Sequence, residues 1–253
     1  LTLFLLWLYM SALFVVAMFS KNNGVADVGY GGAYMVVAGV LLYLYQPHTW
    51  YTWLIALLPF IWGTRLALRI HAKNKGKPED FRYRAWREAW GKTFFWRSYL
   101  QVYMLQGLVV ALVSLPIILA VVLPEHSVSK LGIFIGLWVW VIGFVFETVG
   151  DAQLDAFIKN PANKGKIMMR GLWKYSRHPN YFGESMMWLG IAGISASITS
   201  YHIFAFVSPL VITFLLLKVS GVPLLEKRWE GNSEWEAYKK RTSVFIPLPP
   251  KHT

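Results

Sequence analysis

The chain has 253 residues, 56% of them hydrophobic and 15% charged, with a formal net charge of +12 and a positive mean hydropathy. A soluble fold would have nowhere to hide that much apolar surface, so lipid is the expected solvent and an all-α polytopic membrane protein the expected class. Cysteine is absent, which excludes disulfides, thiolate nucleophiles and cysteine-based zinc or iron–sulfur sites.

Apolar length read against polar breaks predicts about seven membrane-spanning helices, near 1–20, 30–45, 50–70, 99–123, 131–152, 181–199 and 203–222. The first lacks a basic n-region and a small-residue cleavage site, so it reads as a span and not as a signal peptide; the missing initiator Met suggests a trimmed start. The second is short and Gly-rich, ends in Gln46-Pro47-His48, and stands either alone or merged with the third as a hairpin. Between the third and fourth, the polar stretch His71–Ser98 carries amphipathic helical character in EDFRYRAWREAWG. Pro116 and Pro209 are expected bend points in their spans.

Lysine and arginine concentrate in Lys73–Arg97, Lys159–Arg177 and Lys227–Arg241, whereas the alternate loops at 46–49, 124–130 and 200–202 hold only Lys130. The positive-inside rule then places the N-terminus outside and the C-terminus in the cytoplasm. With no repeat and no linker, 1–253 reads as a single multi-pass domain, in the inner membrane of a bacterium or the endoplasmic reticulum of a eukaryote.

Ionisable residues at membrane depth are costly and usually functional. Asp27, Arg65, Arg69, Glu147, Asp151, Glu184 and Lys218 qualify, although Asp27, Arg65 and Lys218 are equally read as interfacial residues that snorkel or pair. Glu147 and Asp151, four apart, share one helical face, where two carboxylates repel unless something polar meets them. The strongest local signal is GLWKYSRHPNYFGE, Gly171 to Glu184. Its Pro stands where a helix can begin, and Asn180 and Glu184 project from one face of the first turns. Upstream, Lys159, Lys164, Lys166, Arg170, Lys174 and Arg177 gather positive charge, while Trp173, Tyr175 and Tyr181 offer ring faces, a combination suited to phosphates and a flat base. A plain topogenic loop touching anionic lipid explains the cations but not the polar residues carried into the next apolar span. No GxGxxG, Walker motif or paired-His spacing occurs, so neither a Rossmann domain nor a metal is expected, His178 is not expected to be a metal ligand, and the scattered membrane-proximal cations do not describe a nucleic-acid surface.

GLWKYSRHPNYFGE resembles the signature of the steroid 5α-reductase superfamily and its bacterial relatives, and the likeness extends to WGTRLALRI, GKPEDFRYRAWREAWG, the Glu147/Asp151 helix and the ending SGVPLLEKRWEG…WEAYKKRTSVFIPLPP. The resemblance implies a seven-helix membrane reductase that binds NADPH from the cytoplasmic side and reduces a carbon–carbon double bond conjugated to a ketone, with a steroid or other hydrophobic enone as substrate and membrane lipid as its surroundings. It places Asn180 and Glu184 at the nicotinamide end, with Glu147, Asp151, Lys159, Lys166, Arg65, Asn74, Glu226, Lys227, Arg228 and Tyr238 on the cofactor side together with Arg177 and His178. Spans one to four would be the substrate side and 147–253 mainly the cofactor side. Where the animal enzymes use a Gln-Glu pair and a Tyr at the ketone, this sequence has Asp27 in place of the Glu and Trp62 about where the Tyr would be, leaving Tyr30 or Tyr34 to supply the hydroxyl. Desolvation would keep Asp27 protonated as a donor to the ketone oxygen. Two other readings compete: an S-adenosylmethionine-dependent isoprenylcysteine or phospholipid methyltransferase, which shares the Arg-His-Pro motif, and a non-enzymatic lipid-binding membrane protein.

Overall fold

A computed structural model describes residues 1–126, 128–200 and 202–251, so parts of the 124–130 and 200–202 loops lie outside the described residues. In chain order the α-helices are α1 Thr2–Ser20, α2 Val25–Tyr45, α3 Trp50–Asn74, α4 Phe81–Trp90, α5 Phe94–Ser98, α6 Leu105–Val113, α7 Leu115–Val122, α8 Lys130–Lys159, α9 Pro179–Ala196, α10 His202–Ala205, α11 Val207–Phe214, α12 Val222–Lys227 and α13 Ser233–Arg241. Two π-helical turns interrupt this pattern, Tyr99–Met104 between α5 and α6 and Leu215–Val219 after α11. Among the described residues there is no β-strand, only an isolated bridge between Ser176 and Ser243.

Five helical segments are long and apolar enough to cross a membrane, namely Thr2–Ser20, Val25–Tyr45, Trp50–Asn74, Lys130–Lys159 and Ile203–Lys227. A sixth is obtained if Phe81–Val113 and Leu115–Val122, bent by 51°, form one broken span. That bend falls at Ser114, two residues before Pro116, because proline tolerates the first turn of a new helix but not the interior of an old one. The stretch expected at 181–199 is the 18-residue α9, which is not among these segments; its first turns carry Asn180, Glu184 and Ser185. The second helix begins at Val25, five residues before the expected start, and remains separate from α3. The amphipathic stretch 81–90 is helical, capped by Asp80, whose carboxylate accepts from the Arg82 N–H at 3.0 Å.

The chain forms two compact units, Leu1–Val128 with Ser195–Ala205, and Ser129–Ile194 with Phe206–Thr253. In the first, α1 buries the stripe Leu6, Met10, Phe14 and Ala17 and leaves Leu3, Phe4, Trp7, Val15 and Phe19 exposed. A helix apolar all round that buries only one stripe presents the rest to lipid. Helices α2 and α3 touch backbone to backbone: a Cβ on Gly31 would stand 2.6 Å from the Gly63 carbonyl oxygen. In the second unit the same close approach joins α8 to α9. Gly136, Gly143 and Gly150 recur every seven residues on one face of α8 and meet Gly183, Gly190 and the start of α9, where a Cβ on Gly183 would lie 2.5 Å from the Glu147 nitrogen. This seam sets the distance between the Glu147/Asp151 face and Asn180.

Candidate functional site

The second unit holds the polar cluster that the seam creates. Glu147 and Asp151 are 3% and 2% exposed, which for two carboxylates demands polar company. Part of it comes from α9: Asn180 Nδ2 donates to Asp151 Oδ1 at 3.1 Å. That bond orients the amide and leaves Asn180 Oδ1 as a buried acceptor with no hydrogen-bond partner. Glu184 lies one turn further along the same helix and is half-buried.

The segment leading into α9 is held by α8 on one side and by the C-terminal strap on the other. Gly171 takes φ 60°, and a side chain there would strike the Gln153 amide, whose oxygen accepts from the Leu172 N–H at 2.9 Å. The Trp173 indole N–H donates to the Gly150 carbonyl at 3.0 Å, and the Trp173 carbonyl accepts from the Tyr238 hydroxyl. Trp173 and Tyr238 are therefore buried structural contacts of the segment, and burial raises the Tyr238 phenol above its ordinary range. Arg177 Nε donates to Glu226 Oε1 at 2.9 Å, one terminal nitrogen donates to the carbonyls of Thr242 at 2.8 Å and Lys239 at 3.3 Å, and its own backbone N–H donates to Ser243 O at 2.8 Å. His178 Nε2 meets the same Glu226 oxygen at 3.0 Å, and its ring stacks on Tyr181 at 5.4 Å. The Arg177 fork is spent on the protein, and the cations left at the surface are Lys159, Lys164, Lys166, Arg170 and Lys174, with Tyr175 exposed beside Lys174 and Arg228 exposed over Trp229.

The substrate-side candidates lie in the first unit. Asp27, in the first turn of α2, accepts from the Arg82 guanidinium at 2.9 Å and from the Tyr83 hydroxyl at 2.6 Å. Both carboxylate oxygens are thus engaged by side chains of the same unit. Tyr34 donates to Tyr30 at 2.7 Å, and both rings pack edge-on against Trp62. Arg65 lies on α3, and Asn74 closes that helix beside a cavity of about 180 Å³ also lined by Lys73, Lys77 and Asp80.

The sequence reading did not anticipate the partners that α4 and its entry loop bring to this unit. Arg87 pairs with Glu79 through two hydrogen bonds, at 2.8 and 3.0 Å, and Glu79 also accepts from the Asn23 N–H at 2.8 Å. Asn23 Nδ2 in turn donates to Ser98 at 2.8 Å. The available signal was the alternation of acids and arginines in EDFRYRAWREAW, which an amphipathic reading sends to solvent. Burial acts to raise the Glu79 carboxyl, but the hydrogen bonds from Arg87 and Asn23 outweigh it and hold the group below the ordinary range. A depressed carboxyl stabilises the fold fully above its unfolded pKa and loses that contribution as pH falls through the folded value. The melting temperature of the detergent-solubilised protein is thus expected to fall on acidification below about pH 4.3, the ordinary glutamate value, and Glu79→Gln should flatten part of that fall.

A protein family described as "Protein of unknown function (DUF1295)" matches residues 13–242. The chain belongs to that family. It is 34% identical over 115 residues to 3-oxo-5-alpha-steroid 4-dehydrogenase 1 of Macaca fascicularis, covering 45% of this chain and 40% of that protein. It is 39% identical over 57 residues to the probable O-methyltransferase ustE of Ustilaginoidea virens, covering 22% of this chain and 20% of that one. An uncharacterised protein of Schizosaccharomyces pombe is 25% identical over 178 residues, covering 60% and 52%. The chain thus spans between a fifth and about half the length of these curated relatives. No solved structure matches it. Among the described residues no group of three or more His, Cys, Asp or Glu side chains is placed to hold a metal ion.

Proposed function

We propose that this DUF1295 member is an NADPH-dependent membrane reductase acting on the Δ4 carbon–carbon double bond of a 3-oxo-Δ4 steroid or a similar enone lipid. The observation that carries the reading is the buried Asn180 Oδ1, an acceptor left unpartnered while the other end of the amide is fixed on Asp151. An acceptor in that position suits the N–H of a nicotinamide carboxamide, and buried Glu147 and Asp151 suit hydroxyl donors. The exposed Lys159 and Lys166 suit phosphates. When bound, NADPH supplies the hydride that adds to the β-carbon of the enone. Arg177, His178, Glu226, Trp173 and Tyr238 serve by holding the segment that positions Asn180. The likeness to the macaque steroid dehydrogenase supports the reaction class.

The topology that accompanies this reading has seven spans, with the broken α4–α7 segment and α9 completing the set, the N-terminus outside and the basic loops and C-terminus in the cytoplasm. Substrate recognition belongs to the first unit and cofactor binding to the second. A methyltransferase is the second reading, favoured by the 39% identity to the probable O-methyltransferase. Following NADPH oxidation by the purified protein against 3-oxo-Δ4 steroids, other enones and sterols, with product analysis, should reveal reduction of the conjugated double bond. Saturable S-adenosylmethionine binding with no NADPH binding would replace the reductase by the methyltransferase.

A further inference from the structure

We propose, independently of the reductase reading, that the C-terminal loop 242–250 is a docking element for anionic phospholipid. The loop closes on itself, since the Lys251 N–H donates to the Arg241 carbonyl at 2.9 Å. Within it Val244, Ile246 and Leu248 are 36%, 56% and 51% exposed, while the Phe245 ring packs edge-on against Phe182 at 5.6 Å. Three aliphatic side chains grouped on one short loop form an apolar patch, and such a patch with a polar rim marks a membrane or protein contact.

The charge of the rim selects the membrane. Arg241 and Lys251 stand together where the loop closes, and the Leu248 N–H donates to the carbonyl of Tyr175 at 3.0 Å, which brings Lys174 alongside. All three cations and Tyr175 are exposed, and no acidic residue occurs at 237–251. An aliphatic row flanked by cations and a tyrosine is the composition of segments that lie in the headgroup layer. Depth agrees with composition. Phe182, which receives Phe245, is in the first turn of α9 and packs at 5.3 Å on Phe146 of α8, inside a segment apolar enough to cross a membrane. The loop is thereby fixed beside the polar end of that span, the level of lipid phosphates, and phosphate is the group complementary to Lys174, Arg241 and Lys251. Pro247, Pro249 and Pro250 restrict the backbone, so little freedom is lost when the row is immersed. The same loop grips the segment entering α9 through Ser243 and Leu248, so lipid held here steadies the stretch that positions Asn180.

The test introduces Ile246→Cys into the full chain, which has no cysteine of its own, and labels it with an environment-sensitive dye. The protein is reconstituted in nanodiscs of phosphatidylcholine alone or in equal mixture with phosphatidylglycerol; Glu234→Cys, exposed at the start of α13, is the water-facing control and Leu248→Cys a second position in the row. In the mixture, labels at 246 and 248 should be quenched by nitroxide-bearing lipid and shielded from a water-soluble quencher, and the label at 234 should show the reverse. Lys174→Gln and Lys251→Gln should each lower the immersed-to-exposed ratio of the label by about fivefold. These positions are exposed, so the variants should melt with the wild type. Access of the water-soluble quencher equal to that at 234, or the same lipid quenching with and without phosphatidylglycerol, overturns the proposal. Shielding without lipid quenching assigns the row to a contact between copies of the chain and also overturns it.

Discussion

Replacing Asn180 by alanine is expected to weaken NADPH binding by about 10- to 100-fold, the equivalent of about 1–3 kcal/mol for an orphaned buried hydrogen-bonding group. The substitution removes the buried Oδ1 acceptor and also strips Asp151 of the donor at 3.1 Å. Asn180→Asp keeps the size of the side chain but sets a third carboxylate among Glu147 and Asp151, both nearly fully buried. Its binding should be weaker still and should recover partly at lower pH, where one of the three is protonated. Titrating NADPH fluorescence against wild type and both variants measures this; equal dissociation constants for all three would move the cofactor site away from α9.

Breaking the Arg177 latch is the second large effect. Its side chain is 10% exposed and that of Glu226 is 16%, so removing either partner leaves a charge with little water to take up the loss. Arg177→Ala also abandons the Thr242 and Lys239 carbonyls, and a cost of about 3–5 kcal/mol is expected for such an uncompensated break. The result should be a markedly lower melting temperature and faster proteolysis of the chain after Glu226. Arg177→Lys should rescue only part of it, because a single ammonium cannot replace a fork that serves a carboxylate and two carbonyls at once. If Arg177→Ala instead melts like the wild type and loses only NADPH affinity, the residue is a phosphate ligand and the latch assignment fails.

These two residues, three apart in one motif, mark how far the chain could be read without its fold. Asn180 was identifiable because a polar side chain carried into an apolar helix is costly anywhere in a bilayer, whatever surrounds it. Arg177 was not, because a cation beside a membrane is equally a topogenic residue, a phosphate ligand or one half of an ion pair. Its partners lie 49 to 65 positions away, in Glu226, Lys239 and Thr242. Trp173 shows the same limit: a ring near cations suggested a stacking surface, whereas its indole N–H is docked on the Gly150 carbonyl and its own carbonyl accepts from Tyr238. The glycines of α8 and α9 did carry a readable signal, since a seven-residue recurrence keeps one helical face small.

On the substrate side, the sequence singled out Asp27 as a charge at the edge of a span, which the burial cost of a carboxylate makes conspicuous. Whether such a group donates or accepts depends on what stands opposite, and Arg82 and Tyr83 come from a stretch that reads as surface helix. Composition and hydropathy alone determined the all-helical class and five of the helices long enough to cross a membrane, because transfer of apolar surface from water is additive along the chain and needs no knowledge of neighbours. The roles of individual polar side chains were decided only in the tertiary structure, because hydrogen bonds and ion pairs are short-ranged and directional, and the partners that fix them are set by packing between segments remote in sequence.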